Sequence, residues 1–259
     1  MTGSFDTVLA RGAALDEATL SKPWTFKDKP MDVRYAFYRT LEDAQEAQIA
    51  LTAQPIPESR RILAFAERAF GDLRGLVAGF PDALMDRAPR DGEWTMRELL
   101  SHIFAVERRY QLQTVYAVER AESDPVRLPE DKLPSIPALS AEAAAGSAAD
   151  IIARIGAARS QTNRLLADVP PAAMTRSARW IHYDVDVRFR LHRIGAHIVE
   201  HVVQGEKTIA VLVGLATEAR RMTRRVAAAI GEVEGLGGDP QARDLERRFA
   251  ERLDSVPGA

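Results

Sequence analysis

Glu58 to Gly79 carries Ile62, Phe65, Ala66, Ala69, Phe70, Leu73 and Val77 at spacings of three and four. On a helix of 3.6 residues per turn these side chains gather on one broad face, which is stable only when another surface covers it. The pattern recurs down the chain. Leu99, Ile103, Val106, Tyr110, Gln113 and Ala117 form a stripe within Met96–Glu122, and Ile152, Ile155, Ala158, Thr162, Leu165 and Leu166 form another within Ala148–Asp168. A fourth helical segment runs from Val185 to Val213. Four such helices joined by loops of mixed length predict a bundle.

Turn chemistry separates these segments. Gln54-Pro55-Ile56-Pro57 precedes the first, and Gly79 suits the position just past its end. Thr95 with Glu98 three residues later is a capping box for the second helix. A proline-rich crossover fills 123–139, and Pro170-Pro171 stops the third helix. Outside the bundle, residues 1–30 are weakly patterned and read as an extended arm anchored by Trp24 and Phe26. Asp32 resembles an N-cap for a helix over Val33–Thr52, striped by Phe37, Leu41, Ala44, Ala47 and Leu51. After Gly214 a charged helix extends to about Glu234, and a short last helix carries Leu245, Phe249 and Leu253 on one side. No segment alternates with a strand's period, and no strong repeat stands out beyond a faint echo between PWTF at Trp24 and EWTM at Trp94. The expected fold is all-α: a four-helix bundle at 57–213, an arm and extra helix at 1–56, and two further helices at 214–259. The N-terminal segment is expected to cover the bundle or a partner subunit, so a homodimer is a further expectation.

Composition narrows the chemistry. A formal net charge of −2 gives no basic field for nucleic acid. The chain has no cysteine, which removes disulfides, thiolate nucleophiles and cysteine-ligated zinc, so a metal would rest on His, carboxylate or water. The N-terminus lacks the apolar core of a signal peptide, and the longest apolar run, near 209–216, is too short to cross a bilayer. A cytoplasmic protein with no membrane or nucleic-acid partner is expected.

The fourth helix holds His197 and His201, four residues apart in HIVEH. That spacing stacks two imidazoles on one face, as two ligands of one metal ion require. Three other histidines could complete the set. His182 lies in the loop before the helix. His192 lies about 140° around it from His197. His102, on an inward face of the second helix, is the one placed to supply a third nitrogen.

GEWTMRELLSHIFAVERRY, followed much later by HIVEHVVQGEK, resembles the DinB-like superfamily, a four-helix-bundle fold that includes bacillithiol- and mycothiol-dependent transferases. The matching features are Trp94 just before a helix, His102 two turns into it, and the His197/His201 pair near the end of the unit. The resemblance covers about 57–213 and implies an up-down-down-up bundle with a metal held by His102, His197 and His201. It implies a metal-dependent transferase that activates a low-molecular-weight thiol, mycothiol-like, for attack on a small electrophilic substrate, or a related hydrolase or isomerase. The alternative is a non-catalytic metal-binding bundle that acts in stress response or interaction. Three imidazoles suit zinc, and equally nickel or copper.

Around the triad, Tyr110, Arg193 and Gln204 are the candidate catalytic residues. Tyr110 either looks into the cavity or packs in the bundle, and Gln204 either lines the pocket or caps a neighbour. Arg193 either clamps a substrate carboxylate or pairs with an acid. Trp94 is expected to seal the bundle end, His182 and Tyr183 to stand near the mouth, and Glu98 either to hold His102 or to serve the cap. The arginines at 220, 221, 224 and 225 read as a solvated helix face.

Overall fold

The four amphipathic segments form helices that close on one another in a computed structural model, which describes residues 4–258. They are α4 (Glu58–Val77), α5 (Met96–Glu119), α7 (Ala148–Leu166) and α9 (Val187–Leu212), with a short α6 (Ile136–Ala143) in the crossover expected to be irregular. Their apolar faces meet in a core built on Leu73, Leu99, Leu100, Ile103, Ile152, Ile155 and Ile198. Thr95 and Glu98 make the capping box expected of them. In the middle of the bundle, Arg159 is 1% exposed and donates from Nε to Glu67 (3.0 Å) and from Nη1 to Glu107 (2.8 Å). Asn163 and Thr162 add donors to the same two carboxylates. This network ties α4, α5 and α7 together, and each buried charge has a partner, as burial demands.

The N-terminal arm is more structured than its pattern suggests. It consists of α1 (Phe5–Ala13), α2 (Glu17–Leu20) and a hairpin of β1 (Pro23–Phe26) and β2 (Lys29–Asp32), followed by α3 (Arg34–Thr52). Asp32 does not cap α3; it ends β2, and its carboxylate accepts from Arg34. A second hairpin, β3 (Ser177–Trp180) with β4 (Tyr183–Asp186), follows a four-residue α8 (Pro171–Met174) and leads into α9. Strands of four residues are too short to register as a period, so neither hairpin is visible in the pattern. Both turn through positive φ, at Lys27 and Asp28 in one and at Ile181 in the other.

The two hairpins are copies. α2, β1, β2 and the start of α3 match α8, β3, β4 and the start of α9 at one constant offset, with the same register and the same alternation of burial. Lys22 O accepts from Val33 N just as Arg176 O accepts from Val187 N. Arg39 pairs with Glu46 and lies over Phe26, and at the same offset Arg193 pairs with Glu200 and lies over Trp180. The expectation of no strong repeat is therefore corrected. The copies have diverged at most positions; Asp-Val-Arg at 32–34 and 186–188 and the Arg39–Glu46 and Arg193–Glu200 pairs are among what they keep.

The flanking segments complete a second bundle. α10 (Glu218–Gly235) and α11 (Asp239–Asp254) pack with α1 and α3 around Leu9, Phe37, Val226, Ile230, Leu245, Phe249 and Leu253. Here α10, α11, α1 and α3 stand as α4, α5, α7 and α9 do in the first bundle, so the second bundle is assembled across the chain's two ends. The bundles meet along α4 and α10, the most extensive helix pair in the molecule. A Cβ on Gly231 would lie 2.5 Å from Glu67 O, and one on Gly71 would meet Ala227 O even more closely. Gly75 faces Arg224 Cα and Gly235 faces Ala64 Cα, each at 2.6 Å from an added Cβ. Each glycine of one helix thus faces the counterpart of its partner's neighbour, the reciprocity of a two-fold contact. Glycine allows the helix backbones to come this close. Among the described residues, no helix is long and apolar enough to cross a membrane.

Candidate metal centre

α5 presents His102 two turns after its capped start, and α9 presents His197 and His201 on the facing side. Their ring nitrogens converge. His197 Nε2 lies 3.3 Å from His102 Nε2 and 3.0 Å from His201 Nε2, and ligand atoms of all three lie within 4.8 Å of one another. Nitrogens each bound at zinc–histidine length around a tetrahedral ion are about 3.3 Å apart. Neutral ring nitrogens held this close repel where their lone pairs face one another unless a cation or proton lies between them, so the donor set fits a metal ion.

Burial keeps the rings neutral. It is the leading cause that lowers His197 to about 2 and His102 to about 4, with the other histidines adding to it. His201 is lowered as well, chiefly by burial. Neutral imidazole is the form a metal binds. Gln204 Oε1 stands 2.9 Å from His201 Nδ1. An amide oxygen there requires the proton on Nδ1, which frees Nε2 for the ion. Trp94 stacks on His201 at 5.9 Å and leans on His102 at 4.8 Å, so the residue expected to seal the bundle end covers the triad itself. Glu98 is committed to the cap: its Oε2 accepts from Thr95 N at 2.8 Å and from Thr95 Oγ1 at 2.9 Å.

A cavity of about 290 Å³ opens beside the triad, lined by His102, His197, Tyr110, Gln113, Trp180 and Arg127 among others. Tyr110 meets His197 edge-on at 5.7 Å, and its hydroxyl accepts from Trp180 Nε1 at 3.2 Å. Arg193 forms a two-pronged pair with Glu200 (2.8 and 3.2 Å), which raises its pKa. His182 lies in the hairpin turn against Tyr183, and His192 lines a groove on the opposite side of α9, so neither joins the triad.

Two residues at the site escape a reading of the sequence. Trp180, at the end of β3, forms one wall of the cavity. Arg190, 2% exposed, hydrogen-bonds to Gln113 and lies over Tyr110. Arg190 stands seven residues before His197, two turns up the same face, and that spacing is the signal that could have found it.

The fold and the site define a helical bundle with an inward three-histidine cluster near one end, the layout of an open metal centre. The family model of the DinB superfamily matches residues 66–204, from α4 through His201, and the chain belongs to that superfamily. No curated protein and no solved structure matches the chain.

Proposed function

We propose that the chain is a metal-dependent transferase that activates a low-molecular-weight thiol at His102, His197 and His201 for attack on a small electrophile. The convergence of three Nε2 atoms carries this reading. These three histidines would hold a divalent ion, zinc first and nickel or copper next, which would supply an open position able to lower the pKa of a bound thiol. The side chains do the rest. His102 and His197 hold their rings neutral through burial, and Gln204 fixes the tautomer of His201. Trp94 shields the triad on one side, and Trp180 with Tyr110 walls the cavity in which the electrophile sits. The chain has no sulfur nucleophile of its own, since it lacks cysteine. The nucleophile on this reading comes with a cosubstrate.

The test is turnover by the zinc-loaded full chain with mycothiol, bacillithiol, glutathione or coenzyme A and an electrophile such as 1-chloro-2,4-dinitrobenzene. Conjugation that His197→Ala abolishes supports the proposal. Metal uptake without conjugation by any of the four thiols leaves a metal-binding module and removes the transferase.

A further inference from the structure

We propose that the cavity beside the triad recognises a carboxylate, and that the substrate carries this group at the end remote from its reacting atom. The inference rests on the reading of the triad as a metal centre only for where the reacting atom lies. The carboxylate site stands on other residues.

Three guanidinium groups surround the cavity with too few acids. Arg109 and Arg127 line it and share one carboxylate, Glu130. Arg190 sits behind Tyr110 and Gln113, both lining residues, with its charge 5.1 Å from the Tyr110 ring. Among the described residues no carboxylate pairs with Arg190, although it is 2% exposed. Its hydrogen bond goes to Gln113 Oε1. Arginine can only donate, so the amide oxygen must face it, and the Gln113 NH₂ is left to donate elsewhere. A guanidinium buried without a counter-ion is costly, and an anion in the adjoining cavity relieves that cost. Burial lowers Arg190 to about 10; Tyr110 opposes the shift, and Arg127 and Arg193 add to it.

The second bundle separates architecture from chemistry. There the Arg193–Glu200 pair persists as Arg39–Glu46, over an aromatic ring in both places, so that pair belongs to the scaffold. The position of Arg190 is Ala36, that of His197 is Asp43 and that of His201 is Ala47. Asp43 is occupied by Arg39 and Arg252. The buried cation and the metal ligands are thus present together in one bundle and absent together in the other, as expected of two parts of one substrate site. The remaining lining, Val106, Ile136, Trp180 and Ile181, is apolar and suits a short hydrocarbon body between the charged end and the triad. A planar carboxylate also matches guanidinium forks and an amide NH₂.

The test is calorimetric titration of the full chain with succinate and benzoate, each against its uncharged amide and against inorganic phosphate at constant ionic strength. It is run after chelation and again after zinc loading. The expected result is saturable binding of the acids, none of the amides, and weaker binding of phosphate. Arg190→Gln and Arg127→Gln should each weaken the acids at least tenfold with metal content unchanged. Arg127 is partly exposed, so its variant keeps the test open if Arg190→Gln does not fold. Amides that bind as well as acids, phosphate that binds better, or wild-type affinity in a folded variant would overturn the proposal. Acid binding in a protein that takes up no zinc upholds the carboxylate site and removes the transferase; zinc uptake without acid binding removes the carboxylate site and leaves the metal centre standing.

Discussion

Gly71→Ala and Gly231→Ala test the contact that joins the two bundles. In most helix interiors glycine to alanine is favourable by about 1 kcal/mol. Here a Cβ on Gly231 would stand 2.5 Å from Glu67 O, where ordinary contact begins at 3.4 Å, so α4 and α10 must part by about 1 Å. The obstacle is helix backbone, which has no rotamer to escape into. Such overpacking costs about 3 kcal/mol, at the upper end for core insertions. The clash outweighs the propensity gain, and each variant should lose about 2 kcal/mol, or roughly 4–8 °C in Tm for a chain of this size. Because both substitutions open the same contact, the double variant should lose clearly less than the sum. Gly205→Ala is the control, since its nearest neighbour is a Leu76 methyl at 3.1 Å that can turn away. Thermal and urea unfolding of the four variants beside the wild type measure all of this. A rise in Tm for either interface variant, or strictly additive losses, would refute a close reciprocal α4–α10 contact.

Other outcomes follow from the buried charges. Arg159→Met strands Glu67 and Glu107 and should cost about 3–5 kcal/mol in urea unfolding, whereas replacing all three residues by methionine should return the protein close to wild type. In the metal-free protein, folded His102 and His197 titrate below their unfolded value of about 6.5, so the unfolded chain binds more protons there. Stability should therefore fall as pH drops from about 6.5 towards 4, by roughly 1.4 kcal/mol per pH unit for each ring, with a flatter profile in His197→Ala. Glu234 acts in the opposite sense. Burial first, and then Glu67, raises it to about 7, so its contribution is present below about 4.5 and lost as pH rises through 7. Glu234→Gln should gain about 2 kcal/mol over wild type at pH 8 and little at pH 4.5, as read by unfolding at the two pH values.

Legibility in the sequence follows the range of the forces involved. The long helices and the His102, His197 and His201 set are readable because 3.6-residue periodicity and an i, i+4 pair are local geometry. Glu98 in its cap is readable for the same reason. The hairpins are not, since PWTF with KPMD and SARW with YDVD pair over four residues each and share no period. The duplication is hidden because hairpin and helix tolerate divergence: Trp180 replaces Phe26, Phe189 replaces Tyr35, and histidines stand where Asp43 and Ala47 do. What persists is Asp-Val-Arg, whose arginine reaches back to the aspartate in both copies, and the arginine–glutamate pair further along each helix. The joining of α1 and α3 to α10 and α11 links opposite ends of the chain, and no window along the sequence contains it. Arg190 escapes notice because a lone arginine on a helix is ordinarily solvated, and only the packing of Tyr110 and Gln113 around it shows otherwise.

The central claim is that His102, His197 and His201 form one metal site and that the second bundle, with Asp43 and Ala47 in the corresponding places, forms none. Zinc titration of the chelated full chain, followed by elemental analysis after dialysis, tests it most directly. The wild type should hold one ion tightly per chain, His197→Ala and His102→Ala should each lose it, and Asp43→Asn should change nothing. Two ions per chain, or equal metal in wild type and His197→Ala, would contradict it.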